Sequence, residues 1–169
     1  MLKLSLGAVS RGEVQVRDDV PPDHPMWEGS DVSLPGPLHV DLTARSVGEG
    51  VFVRGTVRGT LRLPCRRCLV ETEHRLDETV DFLFDEIRDD EEDDMEGEVY
   101  ALPARGDELD LTEAVREQVL LRVPQYVVCR EECRGLCPRC GADLNEAPCD
   151  CGPEEEDSPW GALKTIKFD

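Results

Sequence analysis

The sequence predicts an α+β fold, an antiparallel β-sheet or partly open barrel with one main helix, followed by a small C-terminal cysteine-rich module. Three observations favour this architecture. Apolar and polar residues alternate between positions 38 and 84, an amphipathic helix is indicated over 111–123, and six cysteines lie within 129–151. One helix lying on one sheet buries the apolar surface of both.

The strands follow from this period-two spacing. The alternation over 38–43 predicts one strand, and a turn at 48–50 leads into a longer strand over 51–63. Gly55 and Gly59 share the apolar face of the longer strand, where small residues permit a bulge or the close approach of another strand. Shorter strands are predicted over 3–6, 70–74, 76–84 and 99–102.

The main helix is introduced by residues 108–110. Asp110 is predicted to cap it, and Glu113 three residues later completes a capping-box pattern. Pro124 ends the helix, because proline cannot continue the backbone hydrogen-bond ladder.

Composition divides the chain into three predicted parts. The α+β core domain covers 1–128, the cysteine-rich zinc module 129–152, and an acidic spacer with an amphipathic tail 153–169. The core includes an acidic loop over 85–98, where ten acids stand against one base, so self-repulsion predicts mobility. The tail is expected to dock on the domain or on a partner.

The net charge and the lack of targeting signals restrict the classes of function that the sequence supports. The 169 residues include 19 Lys+Arg and 38 Asp+Glu, a formal charge of −19. This excess opposes broad, non-specific nucleic-acid binding and favours basic partners. The lack of a signal-peptide pattern and of a long apolar run predicts a cytoplasmic protein without a membrane segment. In that reducing compartment, paired cysteines bind metal more often than they form disulfides.

The cysteine-rich segment predicts a zinc site. It has almost no apolar residues, so metal binding must supply the free energy that burial cannot, and Zn²⁺ takes four thiolates in a tetrahedron. The Cys-x-x-Cys-Gly pattern indicates Cys137 and Cys140 as one pair. The second pair is either Cys149 with Cys151 or Cys129 with Cys133. The candidate ligands are Cys129, Cys133, Cys137, Cys140, Cys149 and Cys151.

A separate Cys-x-x-Cys pair, Cys65 and Cys68, lies on a predicted turn between strands. It could complete a second metal site with the pair left over from the cluster. Alternatively it could be a redox dithiol, because Arg66 and Arg67 would favour the thiolate.

A row of arginines predicts a local RNA contact. Even separations on a strand point side chains to one face, so the row forms a basic stripe opposite the apolar face. The alternative is a solvated strand face paired with acids across the sheet or covered by the acidic loop. No aromatic residue is interleaved, so a backbone-directed contact is predicted rather than base stacking. The stripe consists of Arg54, Arg58, Arg62, Arg66 and Arg67.

Catalysis finds little support in the sequence. The three histidines, at 24, 39 and 74, are scattered, and the sequence contains no phosphate-binding loop, dinucleotide fingerprint or nucleophile elbow. A non-enzymatic protein without a small-molecule substrate is expected.

Three motifs in order carry a resemblance to a known family. They are Cys65-Arg-Arg-Cys68-Leu after a β-rich half, Asp110-Leu-Thr-Glu-Ala-Val-Arg-Glu-Gln-Val-Leu-Leu, and the cluster from Cys129 to Asn145 that ends in Cys149-Asp-Cys151. Over about residues 38–169 the chain resembles the YceD family, the large ribosomal RNA subunit accumulation proteins, in the variant typical of Gram-positive bacteria. Some relatives keep the first Cys-x-x-Cys and lack the later cluster.

The resemblance implies a non-enzymatic ribosome-biogenesis factor that supports accumulation or processing of large-subunit ribosomal RNA. The implied partners are that RNA, basic ribosomal proteins of the 50S precursor, or both. Two alternatives from other classes stay open. One is a thiol or iron–sulfur redox protein that uses Cys65 and Cys68, and the other is an acidic protein-only adaptor for a basic ribosomal protein.

Overall fold

The computed structural model describes residues 2–85, 99–103 and 106–151. The predicted acidic loop, apart from its first residue, and the predicted tail therefore lie outside the described residues. The described elements, in chain order, are β1 (Lys3–Ser5), α1 (Leu6–Val9), β2 (Val14–Val20), a 3-10 turn (Pro25–Trp27), β3 (Leu38–Val47), β4 (Gly50–Pro64), β5 (Glu71–Asp85), β6 (Val99–Ala101), β7 (Glu108–Asp110) and α2 (Thr112–Leu121).

Five of these strands form the main sheet, in the order β2-β3-β4-β5-β6. All neighbours are antiparallel except β5 and β6, which are parallel, and β1 pairs separately with β7. The predicted α+β class, with an antiparallel sheet and one main helix, is confirmed. Within the described strands no pairing joins β2 to β6, so the sheet is open rather than a closed barrel.

Several elements differ from the prediction. Helix α1 begins at Leu6, which was expected to end a strand. The two strands predicted over 70–74 and 76–84 are one continuous strand, β5, because β4 pairs with it along its whole length. Strand β2 was not predicted, although Val16 and Val20 bury their side chains. Residues 108–110 are a strand rather than a lead-in to the helix, because β1 pairs with them.

The core is one cluster of buried side chains, to which β2–β5, α2 and the 3-10 turn contribute. The β3 backbone approaches β4 closely at Gly55, since a Cβ atom there would lie 2.0 Å from the carbonyl oxygen of Asp41. The expected close approach at Gly55 is therefore present. Fully buried core side chains include Leu38, Leu42, Val57, Leu61, Val80, Leu111, Val115 and Val119.

The start of α2 departs from the predicted capping box. The N-cap position is Leu111, which has no side-chain cap, and the Asp110 carboxylate accepts a hydrogen bond from the Thr112 N–H at 2.9 Å. Glu113 turns toward Arg116, 3.4 Å away, instead of back to the helix start. Among the described residues, neither helix has the length and hydropathy required to cross a membrane.

Candidate metal centres and the arginine face

The structure gathers all eight cysteines into two groups of four. One group joins Cys65 and Cys68 to Cys129 and Cys133, and the other consists of Cys137, Cys140, Cys149 and Cys151. Within each group the four Sγ atoms lie within 4.8 Å of one another. Of the two pairings left open by the sequence, the geometry brings Cys149 and Cys151 to Cys137 and Cys140.

The sulfur spacing suits a tetrahedral metal ion. Four thiolates at about 2.3 Å from Zn²⁺ place neighbouring sulfurs about 3.8 Å apart. The Sγ atoms of Cys65 and Cys133 are 3.9 Å apart, and those of Cys68 and Cys129 are 3.7 Å apart. Each group therefore could hold one thiophilic divalent cation, and two sulfur pairs of the first group already lie at the tetrahedral spacing. Ligation of zinc by these eight residues stays a prediction.

Both Cys-x-x-Cys turns have the same backbone hydrogen bonds. At the β4–β5 turn, the Cys65 N–H donates to Val70 O and the Leu69 N–H donates to Cys65 O, each at 2.9 Å. In the second group, Cys137 N–H donates to Ala142 O at 2.8 Å, and Gly141 N–H donates to Cys137 O at 2.9 Å. This shared pattern points two sulfurs inward from each turn.

The residue after the second cysteine of each turn adopts a positive φ. Gly141 has φ +73°, as expected for glycine, but its equivalent in the first turn is Leu69 at φ +62°. The Leu69 side chain is 63% exposed, so burial does not offset the strain of that conformation.

Arg67 fastens the first turn to the segment that carries Cys129 and Cys133. Its guanidinium donates to the carbonyls of Glu131 at 3.1 Å and Cys133 at 2.9 Å, and to the Tyr126 hydroxyl at 3.4 Å. Its carbonyl accepts from the Leu136 N–H at 2.9 Å, close to Gly135. Arg67 was predicted as an RNA contact, and here it positions metal-ligand candidates.

Asn145 is a positioning residue that the sequence prediction missed. Its Nδ2 donates to Cys133 Sγ at 3.6 Å, and its Oδ1 accepts from the Arg134 N–H at 2.8 Å. Asp143 Oδ1 in turn accepts from the Asn145 side chain at 2.6 Å. The run Asp-Leu-Asn is a weak signal for such a turn, because Asp and Asn side chains often bond to nearby backbone. Groups of this kind orient metal ligands and tune their basicity.

Each group contains one thiol that is readily ionised. Burial opposes ionisation of Cys65, but N–H groups of Cys68, Cys129 and Arg67 outweigh it and lower the pKa of Cys65 to about 6. The pKa of Cys68 rises to about 12, since burial and neighbouring thiols outweigh the N–H of Val70.

The second group likewise contains one thiol with a lowered pKa and another with a raised pKa. The N–H groups of Cys140 and Arg139 lower the pKa of Cys137 to about 6, while hydrogen bonding with the Cys140 thiol raises the pKa of Cys151 to about 12. One thiol in each group therefore ionises more readily than its neighbours, and a bound metal ion would require the remaining thiols to lose their protons as well.

The predicted arginine stripe divides between two places. Arg54, Arg58 and Arg62 share the exposed face of β4, and Arg66 and Arg67 lie on the Cys65–Cys68 turn. The guanidinium of Arg66 donates to Gln125 O at 3.1 Å and so helps to attach that turn to the chain after α2.

The β4 part of the stripe faces acids on β5. Arg58 Nε donates to Asp77 Oδ1 at 2.9 Å, and Arg62 lies 3.9 Å from Glu71. In the register of the sheet, Arg54 is opposite Asp81. The face is thus close to charge-balanced rather than strongly basic. An RNA contact through these arginines stays a prediction.

A cleft of about 630 Å³ lies between the end of α2 and the loop at 29–32. Its lining is mixed, with apolar residues such as Leu63 and Leu120 beside Ser30, Asp31, Gln125, Arg66 and Arg116. Arg66 Nε donates to the carbonyl of the lining residue Gln125 at 3.1 Å, and Arg116 Nε donates to Met26 O in the 3-10 turn at 2.6 Å. Both guanidinium groups are therefore held by main-chain carbonyls.

Comparison with known proteins assigns the chain to a family. Residues 53–167 match the family model described as large ribosomal RNA subunit accumulation protein YceD. The chain is 29% identical over 157 residues to the chloroplastic YCED homolog 1 of Arabidopsis thaliana, covering 78% of this chain and 49% of that protein. It is 35% identical over 130 residues to an uncharacterized protein of Mycobacterium tuberculosis strain H37Rv, covering 75% of this chain and 60% of that one.

A third relative is the uncharacterized protein YlbN of Bacillus subtilis, which is 29% identical over 117 residues, 68% of this chain and 64% of its own length. The chain thus spans between about half and three fifths of the first relatives it matches. No solved structure matches it. Since the family model covers most of its length, the chain belongs to the YceD family of large ribosomal RNA subunit accumulation proteins.

Proposed function

We propose that this chain is a non-enzymatic ribosome-biogenesis factor that supports the accumulation or processing of large-subunit ribosomal RNA. The observation that carries the proposal is the match of residues 53–167 to a family named for that role. Both the chloroplast relative and the family model bear this name, and the chain contains the cysteine motifs on which the resemblance rests.

The charge distribution favours a mixed partner. The chain carries a formal charge of −19, while the arginines of β4 face acids on β5. Extensive phosphate contact needs unpaired basic side chains. Basic ribosomal proteins of the 50S precursor are therefore the favoured contact for most of the surface. Ribosomal RNA would be contacted locally, through the arginine face of β4 that consists of Arg54, Arg58 and Arg62, and the setting would be cytoplasmic.

Structural zinc completes the proposal. Each cysteine group has four sulfurs within 4.8 Å of one another, and the cysteine-rich segment has few buried apolar side chains of its own. Zinc would hold the Cys129–Cys133 segment against the β4–β5 turn and would close the Cys137–Cys151 segment on itself. The thiols of Cys129 and Cys133 converge on those of Cys65 and Cys68, and a set of four thiols favours this role over a two-cysteine redox centre.

The test is the ribosomal RNA content of cells that lack this protein. We expect mature large-subunit RNA to fall relative to small-subunit RNA, and the wild-type chain to restore it. An unchanged ratio would reject the proposal.

A second comparison tests the arginine face. Arg58→Glu with Arg62→Glu should weaken co-sedimentation with 50S precursors, whereas Arg11→Glu, a single change in the turn after α1, is the control. Equal sedimentation of the two variants would remove the arginine face from the proposal.

A further inference from the structure

The two cysteine groups are attached to the fold in different ways. The first joins the β4–β5 turn to a segment more than sixty residues later, as shown by the contacts of Cys65 with Cys133 and of Cys68 with Cys129. The second lies within the single segment Cys137–Cys151. Loss of the contacts within the first group would separate two parts of the domain. Loss of those within the second would loosen only the Cys137–Cys151 segment, which folds back on itself as a hairpin.

The two groups also differ in burial, and the first is the more buried of the two. Cys65, Cys68 and Cys133 are buried, with exposed fractions of 0%, 9% and 3%, and they pack with Val128 and Leu136 in a small core of their own. In the second group, Cys140 and Cys151 are exposed. Cys137 is buried and Cys129 half-buried, so the contrast lies in the two exposed residues of the second group against the three buried ones of the first. A competing chelator therefore meets less protein at the second group, whereas the first becomes accessible mainly by local opening of the structure.

The hairpin of the second group also has backbone support that does not depend on a metal. Besides the two hydrogen bonds of its Cys-x-x-Cys turn, the Leu144 N–H donates to Gly135 O at 2.9 Å, and Leu136 pairs with Asp143 in an antiparallel bridge. These contacts keep the two sides of the hairpin together near Cys137 and Cys140. Loss of a metal there would leave the rest of the domain in place.

From these differences we infer that the two groups are unequal metal sites. The Cys65 group is a permanent structural clamp, and the Cys137 group is an exchangeable site for zinc or another thiophilic divalent cation. The order of the Cys149–Cys151 end of the hairpin then depends on the supply of that metal, while the sheet and helix do not. This inference rests on the zinc binding proposed above.

The test is the rate of zinc release from the full, zinc-loaded chain. EDTA in excess removes the metal, and samples desalted at intervals are assayed for remaining zinc. We expect two phases of about one equivalent each, with the second about 10-fold slower or more because it requires local opening. Release of both equivalents at one rate would overturn the inference.

Matched variants assign the phases to the groups. Cys151→Ser should abolish the fast phase and keep the slow one, whereas Cys129→Ser should abolish the slow phase. Loss of the slow phase in Cys151→Ser would overturn the assignment.

Alkylation of the wild-type chain gives an independent measurement if Cys129→Ser fails to fold. Iodoacetamide labelling read by mass spectrometry should modify the Cys137 group first, and earlier labelling of the Cys65 group would overturn the inference. A chain that binds no zinc at all would instead reject the zinc proposal, and one zinc held only by the Cys65 group would overturn the exchangeable site alone.

Discussion

Arg67 provides a direct test of how the first cysteine group is held together. Arg67→Ala removes two hydrogen bonds to main-chain carbonyls, at Glu131 and Cys133, and one to the Tyr126 hydroxyl. One of the lost acceptors belongs to a ligand candidate itself, and the other lies two residues before it. Because groups that orient metal ligands are worth about 10- to 100-fold in affinity, we expect a loss of zinc affinity in this range at the Cys65 group.

The assay is competition for zinc between the full chain and a chromophoric chelator. Arg75→Ala is the matched control, since Arg75 is an exposed arginine that bonds to Asp77 on the sheet face. Arg67→Lys should recover only part of the affinity, because an ammonium group cannot reproduce the fork of a guanidinium. Equal zinc affinity in Arg67→Ala and Arg75→Ala would refute the positioning role.

Three further substitutions test the fold. Gly55→Ala should lower the free energy of unfolding by about 1–3 kcal/mol or more, because the added Cβ would lie 2.0 Å from a backbone oxygen of β3. Gly36→Ala is the control, and equal urea midpoints for the two variants would contradict the close approach. Leu69→Gly should raise the urea midpoint of the metal-loaded chain, because relief of a positive φ in a non-glycine residue is worth roughly 1–2 kcal/mol, and a lower midpoint would be evidence against strain. Asp107→Asn should lower the melting temperature at neutral pH. A serine hydroxyl and a glycine N–H lower the pKa of the Asp107 carboxyl, so its stabilisation is present above the unfolded pKa of about 4 and is lost as pH falls through the folded value. A difference between wild type and variant that stays constant down to pH 2 would contradict this.

Local patterns predicted the parts of the fold that depend on neighbouring residues. The alternation over 38–43 and 51–63 gave β3 and β4, since each buries one face on the core. The first half of β5 was harder to predict, because charged residues from Glu71 to Glu78 obscure the alternation of apolar and polar positions there. The continuity of this strand comes from its pairing with β4. Pairing of β1 with β7 joins segments about one hundred residues apart, which no local pattern records.

In the candidate site too, local spacing predicts some features, and others depend on contacts between distant residues. Spacing alone identified the cysteines and the Cys137–Cys140 pair, because a two-residue gap turns both sulfurs inward. The partners of Cys65 and Cys68 could not be fixed from spacing, since the chain after α2 brings Cys129 and Cys133 to the β4–β5 turn. The positioning roles of Arg67 and Asn145 likewise depend on contacts across the fold.

The arginine stripe shows why a pattern on one strand is incomplete. Arg54, Arg58 and Arg62 share a face, as predicted, but the charge of that face is set by Asp77 and Asp81 on the neighbouring strand. The spacing of residues within one strand shows which side chains share a face, but it does not show which strand is the neighbour. One interpretation of the sequence placed acids across the sheet from these arginines, and β5 supplies those acids.

The central claim is that thiolate coordination of two metal ions shapes the cysteine-rich part of the chain. Native mass spectrometry of the purified full chain, with elemental analysis of the same sample, measures this most directly. The account predicts two zinc ions per chain, with one lost in Cys68→Ser and one lost in Cys140→Ser. A chain that carries no zinc after purification and binds none when zinc is added would contradict it.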